Sequence, residues 1–199
     1  MQAKQYGIDH PRRQRIKDAL NGRFHRLALI ALGALVIGHW AEHLVQAFQV
    51  WGLDWPRERS LGLLGLAFPW LVKSEQLHYW IALAMLAALI MLRPAFTGPA
   101  RTWWDVALAI QVWHHLEHLL LFGQVLLSLH LLGRPVPSSV LQLAVPRVEL
   151  HLFYNAIVTV PMVIAVCLHM QRRQPGAREP RCRCSQPFGR RHAVAGPQR

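Results

Sequence analysis

Four stretches of this chain carry almost no charge for long enough to cross a lipid bilayer, and this limits the fold more than any other feature. A helix rises about 1.5 Å per residue, so roughly 30 Å of hydrocarbon takes about 20 apolar residues. The first stretch, Leu27 to Val50, reads LALIALGALVIGHWAEHLVQAFQV; the others cover residues 77–92, 103–129 and 149–170. A further apolar segment, 61–72, contains Gly62, Gly65 and Pro69. It is too short to span and reads as an interfacial or re-entrant piece. Hydrophobic residues make up 53% of the 199, yet the formal net charge is +12, because charges gather at the ends and in the gaps. That distribution argues against a disordered chain, a disulfide scaffold or a soluble globular enzyme. The predicted fold class is all-α: a polytopic membrane protein with a basic cytoplasmic segment (1–26), a four-helix transmembrane domain (27–170) and a basic, disordered cytoplasmic tail (171–199).

Basic residues set the orientation. Seven precede Leu27, two (Arg93 and Arg101) separate the second and third spans, and eight lie in the tail. Only Arg57, Arg59, Lys73, Arg134 and Arg147 fall in the other two loops. Seventeen against five predicts both termini on the cytoplasmic side of the plasma membrane. Trp51, Trp55, Trp70 and Trp80 then mark the outer interface, and Trp103 and Trp104 the inner one. Arginine outnumbers lysine 19 to 3, but these residues flank apolar segments as topology signals do, so no nucleic-acid partner is expected. The partners expected are the bilayer itself, a lipid-like substrate and a second copy in a homodimer. The polar, basic stretch before Phe24 lacks the apolar core of a secretory signal. Cys182 and Cys184 are too few for a closed zinc site.

The first and third spans share a motif. His39-Trp-Ala-Glu42-His43-Leu44 aligns with His114-His115-Leu-Glu117-His118-Leu119, and Gln49-Val50 aligns with Gln124-Val125 at the same offset. The second and fourth spans both open on an acid followed by Leu-His: Glu75-Gln-Leu77-His78 and Glu149-Leu150-His151. The expectation is two repeats of a two-helix unit, related by a pseudo-two-fold axis along the membrane normal.

Ionisable side chains inside hydrocarbon are costly, at about 2.5–3.5 kcal/mol each for the charged types, so a cluster of them marks a function. Residues at i, i+3 and i+4 share a helix face. His39, Glu42 and His43 therefore project together, as do His114, Glu117 and His118, while His115 points about 100° away. With the N-terminus inside, His39 and His43 lie about 18 and 24 Å along their span. His114 and His118 reach similar depths, and His78 and His151 lie near the outer ends of theirs. All four helices thus bring imidazole to one layer near the outer face. The expected metal ligands are His39, Glu42, His43, His78, His114, Glu117, His118 and His151, enough for two ions. Gln46, Glu75, Glu149 and Asn155 are the expected partners of those ligands. Imidazole with carboxylate suits a divalent metal, iron ahead of manganese, zinc or copper.

The spacings His39-x-x-x-His43 and His114-His115-x-x-His118 resemble the histidine boxes of membrane desaturases and hydroxylases. In those enzymes the double histidine comes last and the boxes face the cytoplasm, so no family is assigned. Three functions follow as expectations. The first is a non-haem, dinuclear metal-dependent oxidoreductase acting on a lipid-like substrate. The second is a haem b electron-transfer protein with axial ligands drawn from His39, His43, His114 and His118. The third is a non-enzymatic metal- or proton-handling or accessory protein.

Overall fold

The computed structural model describes residues 10–171. The expected tail, with Cys182 and Cys184, lies outside the described residues from position 172 on. Among the described residues every regular element is a helix, and there is no strand. Seven α-helices follow in order: α1 (His10–Asn21), α2 (His25–Trp51), α3 (Gly62–Ala67), α4 (Pro69–Lys73), α5 (Gln76–Leu92), α6 (Gly98–Leu127) and α7 (Arg147–Gln171). Local chemistry explains several ends. Pro69 opens α4, and a proline stands at the first turn of α6, where a missing N–H costs nothing. Pro94 follows α5 and cannot extend it. Ser128 closes α6 in the left-handed conformation. Pro161 lies inside α7, where it removes the N–H that would bond the Ile157 carbonyl.

Three helices are long and apolar enough to cross a membrane: His25–Trp51, Gln76–Ala95 (α5 with the turn after it) and Arg147–Gln171. At 30 residues α6 is the longest, but Gln111, His114, His115, Glu117 and His118 interrupt its apolar character. The expected short apolar segment 61–72 folds as α3 and α4, whose Leu63, Leu66, Phe68 and Trp70 are exposed. Helix α1 was not legible as a helix among the basic residues that precede Leu27. Asn21 at its end ties it to the α5–α6 turn, donating to the Met91 carbonyl (2.8 Å) and accepting from the Ala95 N–H (3.0 Å).

The four long helices form a ring in which α2 packs on α5 and α7, and α6 packs on α5 and α7. One end of the ring is an apolar core of Leu32, Val36, Met85, Leu89, Leu92, Phe96, Trp104, Val158 and Met162. Trp104 departs from expectation. It is 0% exposed, stacks on Phe96 at 3.9 Å and donates from its ring N–H to the Leu89 carbonyl, so it is a core residue. Trp103 beside it, like Trp51, Trp55, Trp70 and Trp80, is exposed. Toward the opposite end of the ring the core turns polar.

Candidate metal centre

Six histidines from four helices fill that polar end, and all six are buried. His39 and His43 stand one turn apart on α2, and His114 and His118 one turn apart on α6. Within each pair the rings meet edge to face with centroids 4.5 Å apart. His78 of α5 and His151 of α7 stand between the two pairs. His78 contacts His43 (5.4 Å) and lies parallel to His118 (5.7 Å). His151 contacts His43 (4.7 Å), His118 (5.3 Å) and His78 (5.4 Å).

Within the cluster, His43, His78 and His151 each present a ring nitrogen within 4.8 Å of the other two, a group that could hold a metal ion. Two imidazoles on one tetrahedral ion stand roughly 3.3 Å apart when each bond is about 2.0–2.1 Å, so small side-chain rotations would close the triad. In two of the three rings one nitrogen is already fixed by an acceptor. His151 Nδ1 lies 2.7 Å from the Arg147 carbonyl oxygen. A carbonyl only accepts, so this nitrogen carries the proton, and Nε2 keeps its lone pair. His43 Nδ1 bonds the side-chain oxygen of Gln46 at 2.7 Å in the same way. Both Nε2 atoms are buried without a hydrogen-bond partner. An orphaned buried acceptor costs about 1–3 kcal/mol, and a bound cation would remove that cost at both atoms.

The α6 pair differs. His114 Nε2 and His118 Nε2 bond each other at 3.2 Å, and neither Nδ1 has a partner. His115, as its position on the helix requires, lies outside the cluster against Tyr79.

Neither expected carboxylate ligand faces the triad. Glu42 accepts from the N–H groups of Leu63 (3.1 Å), Leu64 (3.0 Å) and Gly65 (3.2 Å), the free donors at the start of α3. Glu117 accepts from the Ser139 hydroxyl (3.1 Å), the Tyr154 hydroxyl (3.2 Å) and the Leu141 N–H (2.9 Å). Of the four expected supporting residues, Gln46 touches the cluster directly. Glu75 makes a two-pronged ion pair with Arg147, whose carbonyl holds His151 and whose guanidinium comes within 3.5 Å of His78 Nδ1. Its carboxylate thus offsets a cation beside the triad. Glu75 also holds φ at +60°, a strained backbone for a residue with a side chain. Glu149 pairs with Arg57, and Asn155 is buried with its amide nitrogen unpartnered.

Sequence reasoning missed Arg147, Ser139 and Tyr154. Arg147 counted only as a charge for topology, and a lone Ser or Tyr at those positions carries no spacing signal. Gln49 and Gln124 were legible as repeat positions, not as loop anchors. Gln49 accepts from the Gly62 N–H (2.9 Å), and Gln124 bonds Leu131 and Ser138.

No protein-family model matches this chain, and neither curated proteins nor solved structures contain a significant match to it. The functional reading therefore rests on the site alone.

Proposed function

We propose that this chain is a four-helix membrane protein holding a divalent metal ion among His43, His78 and His151, and that it works as a non-haem metal-dependent oxidoreductase. The observation that carries the reading is the pairing at His43 and His151. In each, one nitrogen is fixed by an acceptor while the other is buried and unpartnered, and both rings belong to a group whose nitrogens come within 4.8 Å of one another. Metal-bound imidazoles are held in this way. Three ligands leave coordination positions open, as a catalytic ion requires. Iron leads manganese, zinc and copper as the occupant, and with zinc the chemistry would shift to hydrolysis.

The fourth span in this reading is α6, whose polar residues face the ring interior where His114, Glu117 and His118 are buried. The two-repeat reading draws support from Glu42 and Glu117, which occupy matching positions of the motif and each anchor the loop after their own helix. Gln49 and Gln124 do the same at the same offset. A haem is less well accommodated. His78 and His151 stand between the α2 and α6 pairs, in the space that the macrocycle would need.

The test is an elemental count on the detergent-purified protein, followed by the same count on His151→Ala. One ion per chain, lost in the variant, is the expected result. Protein that stays metal-free after reconstitution with each ion would overturn the reading, and iron with a red haem spectrum would replace it with electron transfer.

A further inference from the structure

The phenol of Tyr154 lies against the histidine cluster. It is 3% exposed and stands one turn after His151 on α7, so the two share a face of that helix. Its ring packs on His114 with centroids 4.4 Å apart, and His114 in turn stands 6.0 Å from His151 of the triad. Its hydroxyl donates to Glu117 Oε2 at 3.2 Å. The Ser139 hydroxyl and the Leu141 N–H donate to the same carboxylate. Three donors on one carboxylate fit an ionised group, able to take a proton. The first half is built differently. Ile81 stands three residues after His78 as Tyr154 stands three after His151, and Glu42 accepts from backbone N–H groups of α3. A phenol is therefore not what the motif needs to hold its glutamate.

Losing an electron turns a phenol into a strong acid, so its oxidation is easy only where a base within about 2.6–3.2 Å takes the proton at the same time. Tyr154 has that base in Glu117, and it shares a helix face with a triad histidine. We propose that Tyr154 is a one-electron relay for the metal centre. The Tyr154 O–H bond breaks. The electron passes by way of His114 and His151 to an oxidised iron or manganese ion at the triad, which is reduced by one electron. The proton passes to Glu117 Oε2, where a new O–H bond forms. A neutral tyrosyl radical remains, hydrogen-bonded to the carboxylic acid, and the reverse transfer restores the phenol. This role rests on the metal reading above and deepens it: a single ion gains one further redox equivalent, held on the protein itself.

The experiment loads the full-length protein with iron(II) under anaerobic conditions, counts the iron, then adds hydrogen peroxide and freezes the sample for electron paramagnetic resonance. An organic radical is expected in the wild type, with hyperfine splittings that collapse when the protein carries ring-deuterated tyrosine. Tyr154→Phe conserves volume and removes the hydroxyl; it should abolish the radical at unchanged iron content. Tyr6→Phe/Tyr79→Phe leaves Tyr154 as the last of the three tyrosines and should keep the radical, which covers the case in which Tyr154→Phe does not fold. Glu117→Gln cannot take the proton and should lower the radical yield at least about tenfold. Iron-loaded wild type with no tyrosyl radical, a radical that persists in Tyr154→Phe or is lost from the double variant, or full yield in Glu117→Gln would overturn the relay and leave the metal reading intact. Absence of iron at the first count would overturn both, and that step separates the two failures.

Discussion

The half of the molecule containing α2 and α5 and the half containing α6 and α7 use the same residue types at the same spacing for different ends. In the first, Glu42 closes over backbone: three N–H groups of α3 fill it, and Gly62 leaves no space beside it. In the second, Glu117 takes two hydroxyls and one N–H, and a cavity remains between it and the histidines. The histidine pairs diverge in the same way. His43 is fixed by Gln46 and keeps its other nitrogen unpartnered, whereas His118 is bonded to His114. One copy of the motif contributes His43 to the triad, and the other lines the cavity. A short loop helix offers backbone donors that seal Glu42, whereas Glu117 takes one hydroxyl from the 128–146 segment, Ser139, and one from α7, Tyr154.

The largest expected effect tests that division directly. His43→Ala removes a triad ligand, and His118→Ala removes its counterpart in the second copy of the motif. We expect the first to lose its ion, with affinity falling well beyond the roughly 10–100-fold typical of removing a ligand's supporting partner. His118→Ala should keep one ion per chain. Elemental counts after dialysis against a weak chelator read both. Equal loss in the two variants would mean that the halves share the metal evenly and that the observed asymmetry has no functional weight.

The Arg147–Glu75 pair comes next, because it braces the triad from α7 to α5. Glu75 is 5% exposed and Arg147 35%. Arg147→Met leaves the carboxylate buried without its cation, which for a fully buried pair costs about 3–5 kcal/mol and here, with one partner partly in solvent, roughly 3 kcal/mol. The backbone strain at Glu75 would lose its tether too. A clear drop in detergent melting temperature is expected, together with weakened metal binding, since the side-chain pair with Glu75 holds the first turn of α7, whose Arg147 backbone carbonyl orients His151. An unchanged melting temperature would show that the pair is ornamental.

Much of this architecture was legible in sequence because apolar runs and rare intramembrane ionisable groups are strong signals. The expected spans 27–50, 77–92 and 149–170 fall within one or two residues of α2, α5 and α7, since the hydropathy boundaries coincide with Gly52, Pro94 and Pro146. For α6 the expected start at Trp103 falls more than a turn late. Gly98 and Pro99 look like a loop in sequence, yet a proline is welcome in a helix's first turn. Convergence of the histidines followed from depth along each helix, a one-dimensional quantity. The facing direction of Glu42 and Glu117 did not. Both lie on the histidine face by spacing, and which neighbour a carboxylate reaches depends on loops whose backbone donors leave no trace in side-chain identity.

A smaller effect separates the two glutamates. Glu42→Gln keeps one oxygen for three N–H donors and turns an amide NH2 toward the others, with no hydroxyl among its partners to reverse its direction. Glu117→Gln keeps two hydroxyl partners, Ser139 and Tyr154, each able to accept from the new amide. Hydrogen bonds to a charged group are worth about 1.5–3 kcal/mol, so Glu42→Gln should cost about 2 kcal/mol and Glu117→Gln about 1 kcal/mol. Thermal melts of the two variants side by side measure the difference, and a reversed order would place the rigid anchor in the wrong half.

The smallest effect concerns the other charge bridge at this end, from Arg57 in the first half's loop to Glu149 at the start of α7. It has the same chemistry as Arg147–Glu75, but its side chains are 51% and 28% exposed. Solvent and salt screen such a pair, and holding two long side chains in register has an entropic cost, so exposed bridges contribute about 0–1 kcal/mol. Arg57→Ala should therefore shift the melting temperature little, and less still as salt is raised, with metal content unchanged. Glu149 Oε2 is buried without a partner, but the side chain is 28% exposed, so water takes the place of Arg57 at the other oxygen and the loss stays small. A loss as large as that of Arg147→Met would mean that the first loop, and not only α7, braces the histidine cluster.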